Sequence, residues 1–274
     1  MTHAAPLLLI GCGKMGGAML AGWLNGGQAA GGVHVVEPHA EAMGALAARS
    51  DVTVHATADA VPADLAPSVV VLAVKPQSMD EALAPLARFV APSTCFLSIA
   101  AGKTIGYFET HLGAGAAIVR AMPNTPAAVG RGITAYVANA HVTPAQKTHA
   151  HGLLESVGEV IEAEREDWLD PVTALSGGGP AYVFLLIETL AAAGEKAGLP
   201  ADFAMKLARA TVSGSGELAR QASEPASQLR INVTSPGGTT AEALRVLMDE
   251  TTGIQPIFDK AIAAATARSK ELAG

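Results

Sequence analysis

A short apolar run, Leu7-Leu8-Leu9-Ile10, leads directly into Gly11-Cys12-Gly13-Lys14-Met15-Gly16, and an amphipathic, alanine-rich stretch follows. This succession constrains the fold more than any other feature of the chain. A strand must stop, turn sharply and start a helix, and each glycine has a separate job there. Gly11 permits the tight turn, Gly13 lets the backbone approach a pyrophosphate, and Gly16 lets the helix pack on the strand. The free N–H groups and the positive end of the helix dipole then favour a bound phosphate. A dinucleotide site is expected over the whole loop, with Cys12, Lys14 and Met15 between the glycines.

Glu37 ends the second apolar run, 26 residues after Gly11. That is close to the spacing of about 20 residues expected for the acid that accepts from a ribose 2′-hydroxyl. A carboxylate there repels a 2′-phosphate, and no arginine precedes Arg49. The residues alone therefore favour NAD over NADP. The alternative is that Glu37 is a strand-end acid turned to solvent.

Further along, β-branched or leucine-rich runs alternate with alanine-rich helical stretches, the pattern of a parallel sheet with crossover helices. Strands are predicted over 7–10, 33–37, 52–55, 69–74, 95–99 and 117–120, with two more at 133–137 and 160–162. Helices are predicted over 15–25, 40–49, 79–89 and 105–112, and another from Thr143, a cap followed by Pro144 at the first helical position. Beyond Glu166 only helix remains, over 180–197, 201–223, 239–250 and 255–272. The expected architecture is α/β: a Rossmann-like doubly wound domain over 1–165, then an all-α domain over 166–274.

Composition removes several function classes. Half of the 274 residues are hydrophobic, which argues against disorder, and a net charge of -7 argues against a general nucleic-acid or anionic-membrane binder. Apolar runs such as 69–74 and 181–187 fall short of the roughly 18 residues of a spanning helix, so no membrane segment is expected. Two cysteines, Cys12 and Cys95, cannot form a disulfide framework, and no basic n-region opens the chain. A reducing cytoplasm fits. Aromatics make up only 4% while glycines number 29, so thin helix interfaces are expected, with added surface from a partner chain.

Five further segments carry more specific information. They are Ala73-Val74-Lys75-Pro76, Ala100-Ala101-Gly102, the run Arg120-Ala121-Met122-Pro123-Asn124-Thr125-Pro126, and a C-terminal pair. The pair is Ala174-Leu175-Ser176-Gly177-Gly178-Gly179-Pro180-Ala181 and Ser235-Pro236-Gly237-Gly238-Thr239-Thr240. In order and over nearly the whole chain, with the glycine loop, these resemble the pyrroline-5-carboxylate reductase family. The resemblance implies an NAD(P)H-dependent reduction of a cyclic imine to proline by a cytoplasmic homodimer, or a higher oligomer of dimers.

The same resemblance implies that Ala73, Val74, Lys75, Pro76, Ala100 and Ala101 line the nicotinamide side and that Asn232 also touches cofactor. Glu166, Gly238, Thr239 and Thr240 would meet the substrate, with Thr240 hydrogen bonded to the ring nitrogen as the catalytic candidate. The residues lend support at the last motif. Thr239 and Glu242 have the spacing of a capping box, and Gly237-Gly238 leave the first helical amides open to a small carboxylate. The bland alternative there is an ordinary capped helix after a Pro-Gly turn.

Three positions depart from the family pattern. Gly178 stands where S-G-S-G-P has its second serine, Ile231 where an aspartate is usual, and Glu37 where NADP-using members tend to have Ser, Asn or Arg. The family suggests NADPH, whereas Glu37 argues for NADH. Other signals are discounted. His149, His151 and Glu155 lack a third partner of metal-ligand character and read as a surface helix, so no metal is expected. Cys12 lies at a helix N-terminus, which can activate a thiol, but a small residue is what the loop needs there. Trp23 and Trp168 read as packing anchors. Two rivals are weighed. A hydroxy acid dehydrogenase needs a general base, yet no histidine follows His151 and Lys196 sits at a helix end. A non-catalytic redox sensor would leave the carboxylate receptor at Thr239 and Thr240 without purpose.

Overall fold

In a computed structural model, residues 5–273 are described. The chain forms two compact units. One runs to Gly177 and takes in the chain from Ala265 onward; the other is Gly178–Ala264.

The first unit is built on eight strands: β1 (Leu7–Ile10), β2 (Val33–Val36), β3 (Val52–His55), β4 (Val69–Leu72), β5 (Cys95–Ser98), β6 (Ala117–Met122), β7 (Gly132–Ala138) and β8 (Gly158–Glu162). Their order is β3-β2-β1-β4-β5-β6-β7-β8. The first six are parallel, β7 runs antiparallel to β6, and β8 is parallel to β7. After β3 the chain returns to the other side of β1, so the order reverses between β1 and β4. In open α/β sheets ligands bind at such a reversal, outside the carboxyl ends of the strands. The glycine loop stands there.

Helices α1 (Lys14–Gly26), α2 (Met79–Leu83), α3 (Ile105–Leu112) and α4 (Pro144–Glu155) cover this sheet. Side chains alternate between two faces. Leu7, Leu9, Val69, Val71 and Leu97 pack with α1 and α4, while Leu8, Ile10, Val70, Leu72 and Phe96 pack with α2 and α3. With both faces covered, β1, β4 and β5 are buried at every position, which is why they read as unbroken apolar runs. Trp23 on α1 is fully buried and its Nε1 donates to the Leu153 carbonyl on α4 at 2.8 Å. The anchor role expected for it holds. Trp23→Ala should lower stability by about 3–5 kcal/mol, seen as an earlier urea midpoint; an unmoved midpoint would contradict this packing.

Several helices differ from expectation. The stretch Ala40–Ala48 is 3₁₀ in character and kinks at Gly44, whose φ is 55°. The predicted 79–89 helix gives way after Leu83 to a 3₁₀ segment containing Pro85, since proline lacks the amide a longer helix needs. The Thr143 cap forms as expected, with Gln146 completing a reciprocal box. Trp168 is 44% exposed in this chain and does not anchor its core.

Past the short helix α5 (Leu169–Val172), a π-helical turn, Thr173–Gly177, leads into α6 (Gly179–Lys196). The second unit continues with α7 (Ala201–Gln221), α8 (Ala226–Asn232) and α9 (Thr239–Leu247); α10 (Ile254–Ala273) ends the chain's described part. Helices α6 and α7 pack through small residues: a Cβ on Gly194 would lie 3.2 Å from that of Ala204. Ala191, Ala204 and Ala208 are buried, whereas Phe184, Leu185, Phe203 and Leu218 are more than half exposed. The continuous helical stretch 166–196 also contains a window long and apolar enough, by length and composition, to cross a membrane. Run-by-run reading missed it because the glycines 177–179 interrupt the apolar pattern.

Candidate functional site

Each loop glycine is explained by its surroundings. Gly11 has φ +87°, and a Cβ on it would lie 2.9 Å from Val74 Cγ1 and 3.0 Å from the Ala73 carbonyl. A Cβ on Gly16 would overlap the carbonyl oxygen of Gly11 and approach Ala73 Cβ to 3.2 Å. Gly13 meets nothing within 4 Å, and it lines a cleft of about 930 Å³. It is also the N-cap of α1 and offers no side-chain cap. The first amides of α1 therefore stand uncovered behind a bare backbone, an arrangement that accommodates a pyrophosphate.

Glu37, just past β2, is turned inward rather than to solvent. Its Oε2 accepts the Cys12 N–H at 2.8 Å and its Oε1 accepts the His39 N–H at 3.1 Å. One carboxylate oxygen is thus set against the glycine loop and the other against the turn that follows β2. Cys12 is buried, and burial, aided by the Glu37 charge, pushes its thiol up to about 11. It stays protonated at neutral pH, so a small buried residue is the right description and a reactive thiolate is not.

The cleft also receives Ala73, Val74 and Lys75 from the end of β4, and Thr57 and Asp59 after β3. Sequence spacing gave no hint of the last two. Pro76 begins a 3₁₀ turn beyond Lys75. The turn at Ala100 and Ala101 follows β5; Ala100 is buried and its N–H donates to Ser98 Oγ at 3.2 Å. The structure thus brings the loop, Glu37 and residues 73–75 to one cleft of the first unit.

Asn124 explains the Met-Pro-Asn-Thr-Pro motif. Its Oδ1 accepts the Ile133 N–H at 2.9 Å, and its Nδ2 donates to the Ser176 carbonyl at 3.3 Å. One side chain ties the start of β7 to the π-helical turn. Arg120 and Glu166 form a second such tie that the sequence did not disclose. Arg120, on β6, is 4% exposed and places Nη1 2.8 Å from Glu166 Oε1. His149 and His151 are partly buried rather than exposed, and burial lowers the His149 pKa.

The remaining candidates belong to the second unit. Asn232 ends α8, a helix the sequence did not announce, and its Oδ1 accepts from Gln228 Nε2 at 2.8 Å. The expected Thr239 capping box does not form. Gly238, with φ −83° and ψ 171°, is the N-cap of α9, which puts Thr239 one residue inside the helix, and Glu242 pairs instead with Arg245 at 3.1 Å. The consequence favours a ligand more than the box would have done. A glycine cap leaves the first amides of α9 uncovered, beside the hydroxyl-bearing Thr239 and Thr240.

With this geometry in hand, comparisons with known proteins are informative. A family model described as pyrroline-5-carboxylate reductase dimerisation matches residues 166–272, and one described as NADP oxidoreductase coenzyme F420-dependent matches residues 7–102. The chain is 40% identical to a pyrroline-5-carboxylate reductase of Mycobacterium tuberculosis, over 98% of this chain and 97% of that one. Among solved structures, a pyrroline-5-carboxylate reductase from Coxiella burnetii superposes with a TM-score of 0.89 at 34% identity, covering 98% of this chain and 99% of the other. A Plasmodium falciparum pyrroline carboxylate reductase with NADP bound gives 0.80 at 30% identity, with both chains covered completely. The doubly wound sheet, the helical C-terminal region and these relatives agree, and the chain belongs to the pyrroline-5-carboxylate reductase family.

Proposed function

We propose that this protein reduces the C5=N bond of 1-pyrroline-5-carboxylate to give L-proline, the last step of proline biosynthesis, using NADH or NADPH. The observation that carries the reading is the pair of helix N-termini left open by glycine. One, at α1, suits a pyrophosphate; the other, at α9, suits a small carboxylate.

When bound, the reduced nicotinamide supplies the hydride. The chain's own residues orient and hold. Gly11, Cys12, Gly13, Lys14, Met15 and Gly16 receive the pyrophosphate, and Glu37 accepts from the ribose. Ala73, Val74, Lys75, Pro76, Ala100 and Ala101 flank the nicotinamide, with Asn232 as a further contact. Thr239 and Thr240 hold the substrate carboxylate through their amides, with Gly238 leaving the approach to them bare, and the Thr240 hydroxyl hydrogen bonds the ring nitrogen. A protonated imine is already electrophilic, so most of the acceleration comes from alignment. A threonine hydroxyl is too weak an acid to be the main proton donor. The proton on nitrogen comes with the substrate or from solvent.

Thr240→Ala should therefore reduce kcat/KM by about 2- to 10-fold, the worth of one neutral hydrogen bond. An unchanged value removes Thr240 from the mechanism. The overall reading is tested by supplying pyrroline-5-carboxylate and following NAD(P)H absorbance. Absence of oxidation above background would favour the sensor instead.

The functional division is placed at residues 165 and 166, which the start of the dimerisation match supports. The exposed Phe184, Leu185, Phe203 and Leu218 are covered by a second copy, giving a homodimer or an oligomer of dimers. Free, buried Cys12 and Cys95 accord with a cytoplasmic site of action.

A further inference from the structure

The turn 100–102 is held from two sides by residues far away in sequence. On one side, Glu166 Oε1 accepts two donors at once: Arg120 Nη1 at 2.8 Å and the Ile105 N–H at 2.7 Å. Ile105 is the first residue of α3, and Thr104 caps the same helix by accepting the Tyr107 N–H at 3.1 Å. On the other side, Gly102, with φ +74°, lies against the last turn of α10. A Cβ there would lie 3.1 Å from the Leu272 carbonyl and 3.2 Å from Leu272 Cβ. Ser269, one turn earlier, donates to Asp170 Oδ1 at 2.7 Å.

Burying an arginine beside a glutamate is seldom the most stabilising choice, because apolar residues of similar volume often do as well or better. What the pair adds here is direction. The carboxylate that compensates Arg120 is the same one that fixes the first amide of α3, directly after the turn 100–102. An orphan helix N–H needs an acceptor, and this one is supplied by a side chain 61 residues away.

We propose that Glu166 is a positioning residue for hydride transfer. Held by Arg120, it fixes the start of α3 and with it the turn 100–102 against α10, so that the nicotinamide-side wall keeps one conformation. This rests on the proposed placement of Ala100 and Ala101 beside the nicotinamide. It replaces the family-based expectation that Glu166 meets the substrate directly.

The test compares wild type, Glu166→Gln and the double variant Arg120→Met with Glu166→Leu. Each is measured for thermal midpoint, NADH dissociation constant by fluorescence, kcat, and KM for pyrroline-5-carboxylate. The double variant leaves no uncompensated buried charge but orphans the Ile105 N–H, so its thermal midpoint should fall only modestly while the chain stays folded. A displaced wall should weaken NADH binding and lower kcat, each by about 10-fold or more, since misplacement of 1 Å can cost about 100-fold in rate. KM for pyrroline-5-carboxylate should stay within about 2-fold of wild type, because the amides proposed to hold the substrate carboxylate belong to α9 and not to α3. Wild-type NADH affinity and kcat in the double variant would overturn the proposal. So would a raised KM for pyrroline-5-carboxylate with NADH affinity unchanged, which would make Glu166 a substrate contact.

If the double variant does not fold, Glu166→Gln decides. Its amide oxygen can still accept from Ile105 but no longer neutralises Arg120, so kcat should fall by about 3- to 10-fold with KM for the imine unchanged. An unaltered kcat would reject the role. Failure of wild type to reduce the imine would count against the enzymatic reading itself, while the NADH-affinity arm would still decide whether Glu166 positions the wall.

Discussion

Gly16→Ala is expected to weaken NADH binding by about 10- to 100-fold and to lower the thermal midpoint as well. The reason lies in the nesting of two glycines. A Cβ at position 16 would overlap the Gly11 carbonyl, and Gly11 is itself held to the sheet by its N–H, which donates to the Val36 carbonyl at 2.9 Å. Helix α1 must then move off the sheet, taking the open amides with it. Gly13→Ala separates the two effects. Nothing lies within 4 Å of its Cβ position and its φ of −68° suits any residue, so folding should be untouched. The added methyl would instead stand where the backbone must approach the phosphates. Binding titrations and melting curves on both variants check this. If Gly16→Ala bound NADH as tightly as wild type, the close packing of loop, helix and sheet would not be what forms the cradle.

The second large effect concerns cofactor choice. NADH should serve at least as well as NADPH, and Glu37→Ser should shift the kcat/KM ratio toward NADPH by about 10-fold or more. The described lining of the cleft carries three carboxylates, Glu37, Asp59 and Glu81, against one lysine, Lys75. Glu37 cannot turn away from a 2′-phosphate without giving up the Cys12 and His39 amides. Opposed charges of like sign at 4 Å cost about 1 kcal/mol each in water and about 4 kcal/mol at an effective dielectric constant of 20. The serine variant should lose some affinity for both cofactors, because the loop amide of Cys12 loses its acceptor. The ratio is therefore the informative quantity. A strong NADPH preference in wild type, unmoved by Glu37→Ser, would contradict this reading.

What was legible in the sequence follows from how local each feature is. The glycine loop, the strand runs and the Thr143 cap were readable because a few adjacent residues set each of them. Glu37 was readable by position, although its inward turn toward Cys12 was not. The 40–48 and 79–89 segments were over-read as regular helices, since alanine-rich periodicity outweighed Gly44 and Pro85. The Thr239 box was off by one residue because Gly238 fits the cap as readily as threonine. Helix α8 is only seven residues long, too short for a periodic signal. Arg120 and Glu166, 46 residues apart, meet only through the strand order. No local pattern encodes such a contact.

The exposed apolar face of α6 and α7 belongs with the low aromatic content. Small residues bring these two helices close but bury little area, leaving their larger side chains for a second copy. The dimerisation match over this region supports that division of labour.

The most direct test of the proposed reaction uses NADH carrying deuterium at both C4 positions of the nicotinamide, with pyrroline-5-carboxylate as acceptor and mass spectrometry of the product. Proline carrying a single deuterium at C5, formed in step with cofactor oxidation, is the expected result. Unoxidised cofactor, or proline without the label, would contradict it.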